Sequence, residues 1–379
     1  MIYLDNASTT RMDPKVFDAM IPYLCDKCGN PNSPHALGKE AKAAVERARD
    51  QVADLINADP EQIVFAHSAT DANRMAFDRF SYGFPVVSAV EHSSVLDAAN
   101  AQEGDCYRIL PDEKTGIVSP ERMRGSLRVF FKDTPQVDHM ASFMLVNNET
   151  GAVNDVKALA KAACAYWLWF HTDATAAAGA MQIDAKDLGV DFMTFSAHKM
   201  HGPKGAAALY CRDPKCALAF ANEGGTPDVP AIVGFGEACR IQKKWIEQMG
   251  TWDADYGSMT EIFECNLWGN LEKDGKGYVR NCPDGGTHFD RILSLRFDGV
   301  DAEMLVQLCS DRGLMISAGA ACKSHEQKPS HVLTAMGLTD DEARSSVRIS
   351  FSRMTTADDC AEGAAILAGC VNDLRSMTK

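Results

Sequence analysis

Asp191-Phe-Met-Thr-Phe-Ser-Ala-His-Lys-Met-His-Gly-Pro-Lys-Gly205 sets an apolar, strand-like run directly before Ser196, His198 and Lys199, and closes in a Gly202-Pro203 loop. A lysine leaving a strand end can bond a carbonyl cofactor, and Ser and His beside it can hold a phosphate. Basic Gly-Pro loops also occur on plain surfaces, so this segment alone leaves both readings open.

Working outward, Trp169-Phe-His-Thr-Asp-Ala-Thr175 reads as another strand with an acid at its end, Asp173, placed 26 residues before Lys199. That is about one strand–helix–strand crossover. Pyridoxal phosphate needs a carboxylate against its ring nitrogen and a lysine for its aldehyde, and the pair Asp173 and Lys199 favours it over a simple helix cap. Phe65-Ala-His-Ser-Ala-Thr-Asp-Ala-Asn73 reads as a strand running into a helix. Small residues and Thr70 at a helix start suit a phosphate; alone, the segment reads as an N-cap by Ser68 or Thr70.

The same alternation runs through the first two-thirds of the chain. Gln62-Ile-Val-Phe-Ala66 and Phe143-Met-Leu-Val-Asn147 are expected strands, and the Ala, Val and Leu spacing predicts a helix over 38–57. Strands alternating with helices imply a mainly parallel α/β sheet covered on both faces, with ligands at strand-end loops. Residues 266–286, rich in Gly, Asn and Lys, read as a surface excursion. Beyond them Ile292-Leu-Ser-Leu-Arg-Phe297 alternates like a half-buried strand, and a helix follows over 302–312. These patterns divide the 379 residues into a large domain, 14–260, and a smaller α+β domain built from 1–13 and 261–379.

A net charge of −14 argues against broad nucleic-acid binding, which relies on Lys and Arg. No apolar run reaches the roughly 20 residues of a membrane span. The N-terminus lacks the basic-then-apolar pattern of a signal peptide, so the cytoplasm is the expected location. Thirteen cysteines scattered through helix-like segments read as reduced thiols. Cys25 and Cys28 form a lone C-x-x-C, which cannot fill a tetrahedral zinc site, so no metal is expected.

Several short motifs in order then make the chain resemble a cysteine desulfurase of the NifS and IscS type, in the aminotransferase class V family. They are Tyr3-Leu-Asp-Asn-Ala-Ser-Thr-Thr10, Asn30-Pro-Asn-Ser-Pro-His35, Glu91-His92, Val146-Asn-Asn-Glu-Thr-Gly151, the Asp173 and Lys199 segments, Gly225-Thr226, Ser317-Ala-Gly-Ala-Ala-Cys322 and Ser345-Ser-Val-Arg-Ile-Ser350. The resemblance implies a type I pyridoxal-phosphate fold working as a homodimer. It implies that Lys199 bonds the cofactor, Asp173 meets its ring nitrogen, and His92 stacks on the ring and shuttles protons. Ala69, Thr70, Ser196 and His198 match phosphate contacts, and Thr226 one supplied by the neighbouring subunit. Asn148 matches a contact to cofactor and substrate, and Arg348 the clamp on the substrate carboxylate. Cys322 matches the nucleophile that takes sulfur from L-cysteine as a persulfide, leaving L-alanine, for delivery to an acceptor protein.

Three departures stand out. Ala176 replaces a usual Gln that bonds the cofactor's phenolic oxygen, Ser68 replaces a usual Gly, and the glycine-rich stretch before Thr226 is shortened. They suggest a specialised sulfur donor, for DNA phosphorothioation rather than iron–sulfur cluster assembly. Rival readings are a selenocysteine lyase or other class V enzyme, and a non-catalytic partner protein that keeps the fold.

Overall fold

In a computed structural model, the described residues are 1–80, 83–131, 138–221, 225–249, 252–271, 277–281, 288–319 and 329–377. The first strands are β1 (Ile2–Tyr3), β2 (Ile63–Ala66), β3 (Val86–Ser88), β4 (Tyr107–Ile109), β5 (Met140–Ser142), β6 (Trp169–Asp173), β7 (Phe192–Ser196) and β8 (Ala207–Cys211). All but β1 join one sheet in the order β2-β8-β7-β6-β5-β3-β4. Only β8 runs against the others, since both of its pairings are antiparallel and the rest are parallel. Every residue of β7 and β8 is buried, as befits a mainly parallel sheet covered on both faces. The expected α/β architecture is present.

The expected helix over 38–57 is Ala36–Leu55, started by the His35 ring accepting from Gly38 N–H. Ala41, Ala44, Val45, Ala48, Val52 and Leu55 line its buried face at helical spacing. It packs on helix Val229–Met249, where Gly236 is needed: a Cβ there would lie 2.6 Å from Ala48 Cα.

The later strands are β9 (Val279–Arg280), β10 (Ile292–Arg296), β11 (Leu314–Met315), β12 (Ser317–Ala318) and β13 (Ser346–Ser350). A second, antiparallel sheet has the order β12-β13-β10-β9. The first residues of the chain form a separate two-stranded sheet beside it and then bond its β13. β1 pairs in parallel with β11, and Asn6 and Ala7 bond Ser350. The same strap reaches back to the large sheet, where Thr10 donates through both N–H and Oγ1 to the carbonyl of His198.

Three expectations need correction. Strand β5 ends at Ser142, and 143–147 continue beyond it with a bend at Leu145 and a single bridge from Val146 to Val153. Phe143 and Leu145 still donate to β6 carbonyls, but Met144 N–H turns to the buried carboxyl of Glu91 and the ladder on that side stops. Strand β10 is buried on both faces through Leu295, because its one polar residue in that run, Ser294, is bonded by Asn281. The supposed excursion at 266–286 begins as the end of helix Trp252–Asn270 and contains β9; 272–276 and 282–287 lie outside the described residues. Position 260 falls inside that helix, which packs on the C-terminal helix Ala357–Met377, so we propose a domain change just before residue 252.

Candidate active site

The C-terminal ends of β2, β3, β5, β6 and β7 all open on one side of the large sheet, which is where such folds bind ligands. A cavity of about 250 Å³ lies there, closed on its far side by the small sheet through Arg348 and Gly319. Ala69, Thr70, His92, Asn148, Asp173, His198, Lys199 and Arg348, all singled out in the sequence, line it. Ser196 is buried behind it, whereas Thr226 is exposed and away from the lining. Cys322 lies outside the described residues, between Gly319 of the cavity wall and Ser330.

Lys199 closes a short 3₁₀ turn after β7. Its backbone is held by Arg291, a buried guanidinium that donates to the carbonyls of Lys199 (2.8 Å), Phe351 and Ala176. Its Nζ donates to the Ala7 carbonyl of the N-terminal strap. Beside it His198 is pushed down to about 4 by burial and by the charges of Lys199 and Lys204, so its ring is neutral at pH 7. Asp173, at the end of β6, has each oxygen bonded: Oδ1 by Thr175 N–H at 2.9 Å and Oδ2 by Asn73 Nδ2 at 3.0 Å.

His92 caps helix Ser93–Asn100, its Nδ1 accepting from Ser94 N–H at 3.1 Å. Burial holds its proton affinity below the ordinary histidine value, with Asp173 partly offsetting this. Arg348, centred on β13, donates to the Asn148 carbonyl at 2.8 Å, to Ser317 Oγ at 3.0 Å and to Asp5 at 3.1 Å. Its Nε has no partner among the described residues.

The lining also contains residues to which the motifs assigned no role: Ser94, Glu149, Thr175 and His331. Glu149 is buried, its carboxyl raised by desolvation and bonded by Ser330 Oγ at 2.5 Å. The His-Ser94 pair and the Ser330 cap are local patterns that helix-start rules can find; the Glu149–Ser330 contact spans the fold and has no local signal.

The set fits pyridoxal phosphate on its own chemistry. A buried carboxylate faces a lysine amine across one cavity, and helix Ala69–Asp78 begins at the wall with its first-turn N–H groups. Two buried hydroxyls, Thr175 Oγ1 in the lining and Ser196 Oγ behind it, have no partner among the described residues. Orphaned donors around a basic pocket are what an anion would satisfy.

The family model of class V aminotransferases matches residues 2–219 and 219–362. The chain belongs to the aminotransferase class V family. Members of this family use pyridoxal phosphate, and the chain is a pyridoxal-phosphate enzyme of the type. Among similar proteins, mouse cysteine desulfurase is 35% identical over all of this chain and 83% of its own. The X-ray structure of a NifS-like protein from Rickettsia africae superposes with a TM-score of 0.83 at 26% identity, covering 99% of both chains. SspA in complex with cysteine has a TM-score of 0.75 at 28% identity, covering 93% of this chain and 99% of that one. This class V chain pairs a mainly parallel α/β sheet with a smaller antiparallel one. Among the described residues no helix is long and apolar enough to cross a membrane.

Proposed function

We propose that the protein is a cysteine desulfurase that moves sulfur from L-cysteine to Cys322. One observation carries the reading. A single cavity holds an amine (Lys199), a carboxylate (Asp173) and a buried guanidinium (Arg348), and the segment bearing Cys322 leaves its wall at Gly319. Bound pyridoxal phosphate supplies an electron sink that makes the α-proton of an amino acid acidic.

The chain's own groups divide the remaining work. Asp173 would hold the ring nitrogen, while the start of helix Ala69–Asp78 with Thr70, Ser196 and His198 would hold the phosphate. Arg348 and Asn148 orient the substrate through its carboxylate, a task suited to a planar donor fork. The Lys199 amine takes the α-proton, and Lys199 and His92 return protons to the substrate carbons. Cys322 thiolate attacks the substrate sulfur: an S–S bond forms, the Cβ–S bond breaks, and its electron pair stays with the carbon skeleton, which ends as alanine. The persulfide then passes to an acceptor.

A homodimer in the cytoplasm, with Thr226 reaching the partner's site, belongs to the same reading. So does delivery to a dedicated acceptor, such as a DNA phosphorothioation protein, supported by Ala176 and Ser68 in the cavity wall. Labelled sulfur moving from Cys322 only to a cluster scaffold would refute that last step. The activity itself is tested by alanine formation from L-cysteine with a reductant. Cys322→Ala is expected to keep its yellow cofactor and make no alanine, and Lys199→Ala to lose both. Wild-type protein that binds cofactor but forms no alanine refutes the reading.

A further inference from the structure

We propose that Asn73 and Ser94 are positioning residues that tie the carboxylate of Asp173 to the ring of His92 and keep that ring's proton on Nε2. Asn73, fully buried on helix Ala69–Asp78, donates from Nδ2 to Asp173 Oδ2 at 3.0 Å and to Ser94 Oγ at 2.9 Å. An ionised carboxylate only accepts, so chemistry sets which way the amide is turned. Ser94 Oγ accepts from Asn73 and thereby directs its single proton to His92 Nδ1, 2.7 Å away. The backbone N–H of Ser94 donates to that same nitrogen. A ring nitrogen that receives two donors carries no proton of its own, which leaves Nε2 as the N–H of the neutral ring.

Asn73 Oδ1 is buried with no hydrogen-bond partner among the described residues. A residue kept for packing alone has no reason to hold a buried carbonyl oxygen unsatisfied. The orphan identifies the two N–H bonds as the function of this side chain. The link also crosses elements: Asn73 stands on one helix, His92 and Ser94 at the start of another, and Asp173 at the end of β6. The charged and titratable groups facing His92 are Asp173, Lys199 on the turn after β7, His331 on helix His331–Ala335, and Asp97 on its own helix. Removing Asn73 releases the Ser94 hydroxyl, withdraws a bond from unprotonated Nδ1, and so makes protonation easier.

The inference rests on the proposed roles of Asp173 and His92 toward the cofactor, so its test does not use sulfur transfer. Holoenzyme labelled with ¹⁵N-histidine reports the tautomer and titration of His92, assigned by comparison with His92→Gln. Wild type is expected to show Nε2 protonated and Nδ1 bare. In Asn73→Ala the titration midpoint is expected to rise by on the order of one pH unit. Asn73→Asp should raise it further, because a second carboxylate then takes the Ser94 proton. Ser94→Ala keeps the test open if the Asn73 variants fold poorly; it should move the midpoint in the same direction. A wild-type ring protonated on Nδ1, or a midpoint unmoved in every variant that folds, overturns the proposal.

Discussion

Arg348 and Asp5 form an ion pair at 3.1 Å, with Ser317 Oγ bonded to both, at 3.0 Å to the guanidinium and 2.6 Å to the carboxylate. The proposed clamp for a substrate carboxylate therefore already holds a carboxylate from the N-terminal strap. Arg348 is 3% exposed, so Asp5→Asn leaves a nearly buried cation without its counter-charge. Unfolding in urea is expected to show a loss of about 2 kcal/mol, below the usual cost for a fully buried pair because Asp5 is partly open to water. A carboxylate ligand supplies the missing charge, so saturating L-alanine should stabilise Asp5→Asn more than wild type. Equal stabilisation would separate Asp5 from the clamp.

Arg348→Lys tests the clamp directly. Lysine keeps the charge and loses the fork that can meet both carboxylate oxygens. KM for L-cysteine is expected to rise about tenfold or more, with the visible band of the bound cofactor unchanged. A band that shifts while KM stays constant would place Arg348 with the cofactor instead.

The site was legible in the sequence where one motif carries a residue's chemistry. Lys199, Asp173 and His92 sit at strand ends or helix starts, and their segments have recognisable spacing. Asn73 and Ser94 belong to motif segments too, but their meaning lies in contacts to each other and to Asp173, across 21 and 100 positions of chain. The failures in the fold have the same root. The run at 143–147 looks like a strand because its composition is strand-like, and it stops being one because Glu91, over 50 positions away, takes the Met144 N–H. Strand β10 alternates in polarity yet is buried, because Asn281 satisfies Ser294. Local pattern carries periodicity; it does not carry the partner that satisfies a buried polar group.

Acid should unfold the protein through its buried histidines. His171, His198 and His201 are each pushed down to about 4, chiefly by desolvation. In the unfolded chain they take protons near pH 6.5, so between about 6.5 and 4 the unfolded state binds more protons and stability falls as pH falls. Each contributes about 3 kcal/mol over that window at most. Glu91, Glu149 and Asp191 run the other way: burial raises each carboxyl, so falling pH relieves their strain on the fold. His92 is lowered by burial as well, so four histidines stand against these three acids, and the melting temperature is expected to drop from pH 7 to pH 5. A flat profile over that range would mean these rings are protonated in the folded protein.

Ser330 performs two tasks on one side chain. It accepts from Leu333 N–H at the start of helix His331–Ala335 and donates to buried Glu149 at 2.5 Å. Ser330→Ala removes a cap and strips a buried carboxyl of its donor, which together should cost about 2 kcal/mol in urea unfolding. Ser330→Thr retains the hydroxyl and should recover most of it. If alanine and threonine behave alike, the hydroxyl contributes nothing there.

Ala176 lines the cavity where the family usually places a glutamine, and its carbonyl is fixed by Arg291. Its backbone is therefore anchored independently of its side chain, and a longer side chain can grow into the cavity without moving the strand end. Ala176→Gln adds a neutral donor, worth about 1 kcal/mol when it finds an acceptor. Cofactor affinity, measured by the visible band during dilution, should tighten by about fivefold. The absorbance maximum should shift as well, because a hydrogen bond to the phenolic oxygen changes the ring's electron distribution. Tighter binding with no spectral shift would mean that the new side chain packs against the ring without reaching that oxygen. Neither change would show that this branch fills the space near residue 176 in another way, and that the loss of glutamine is already compensated in its own pocket.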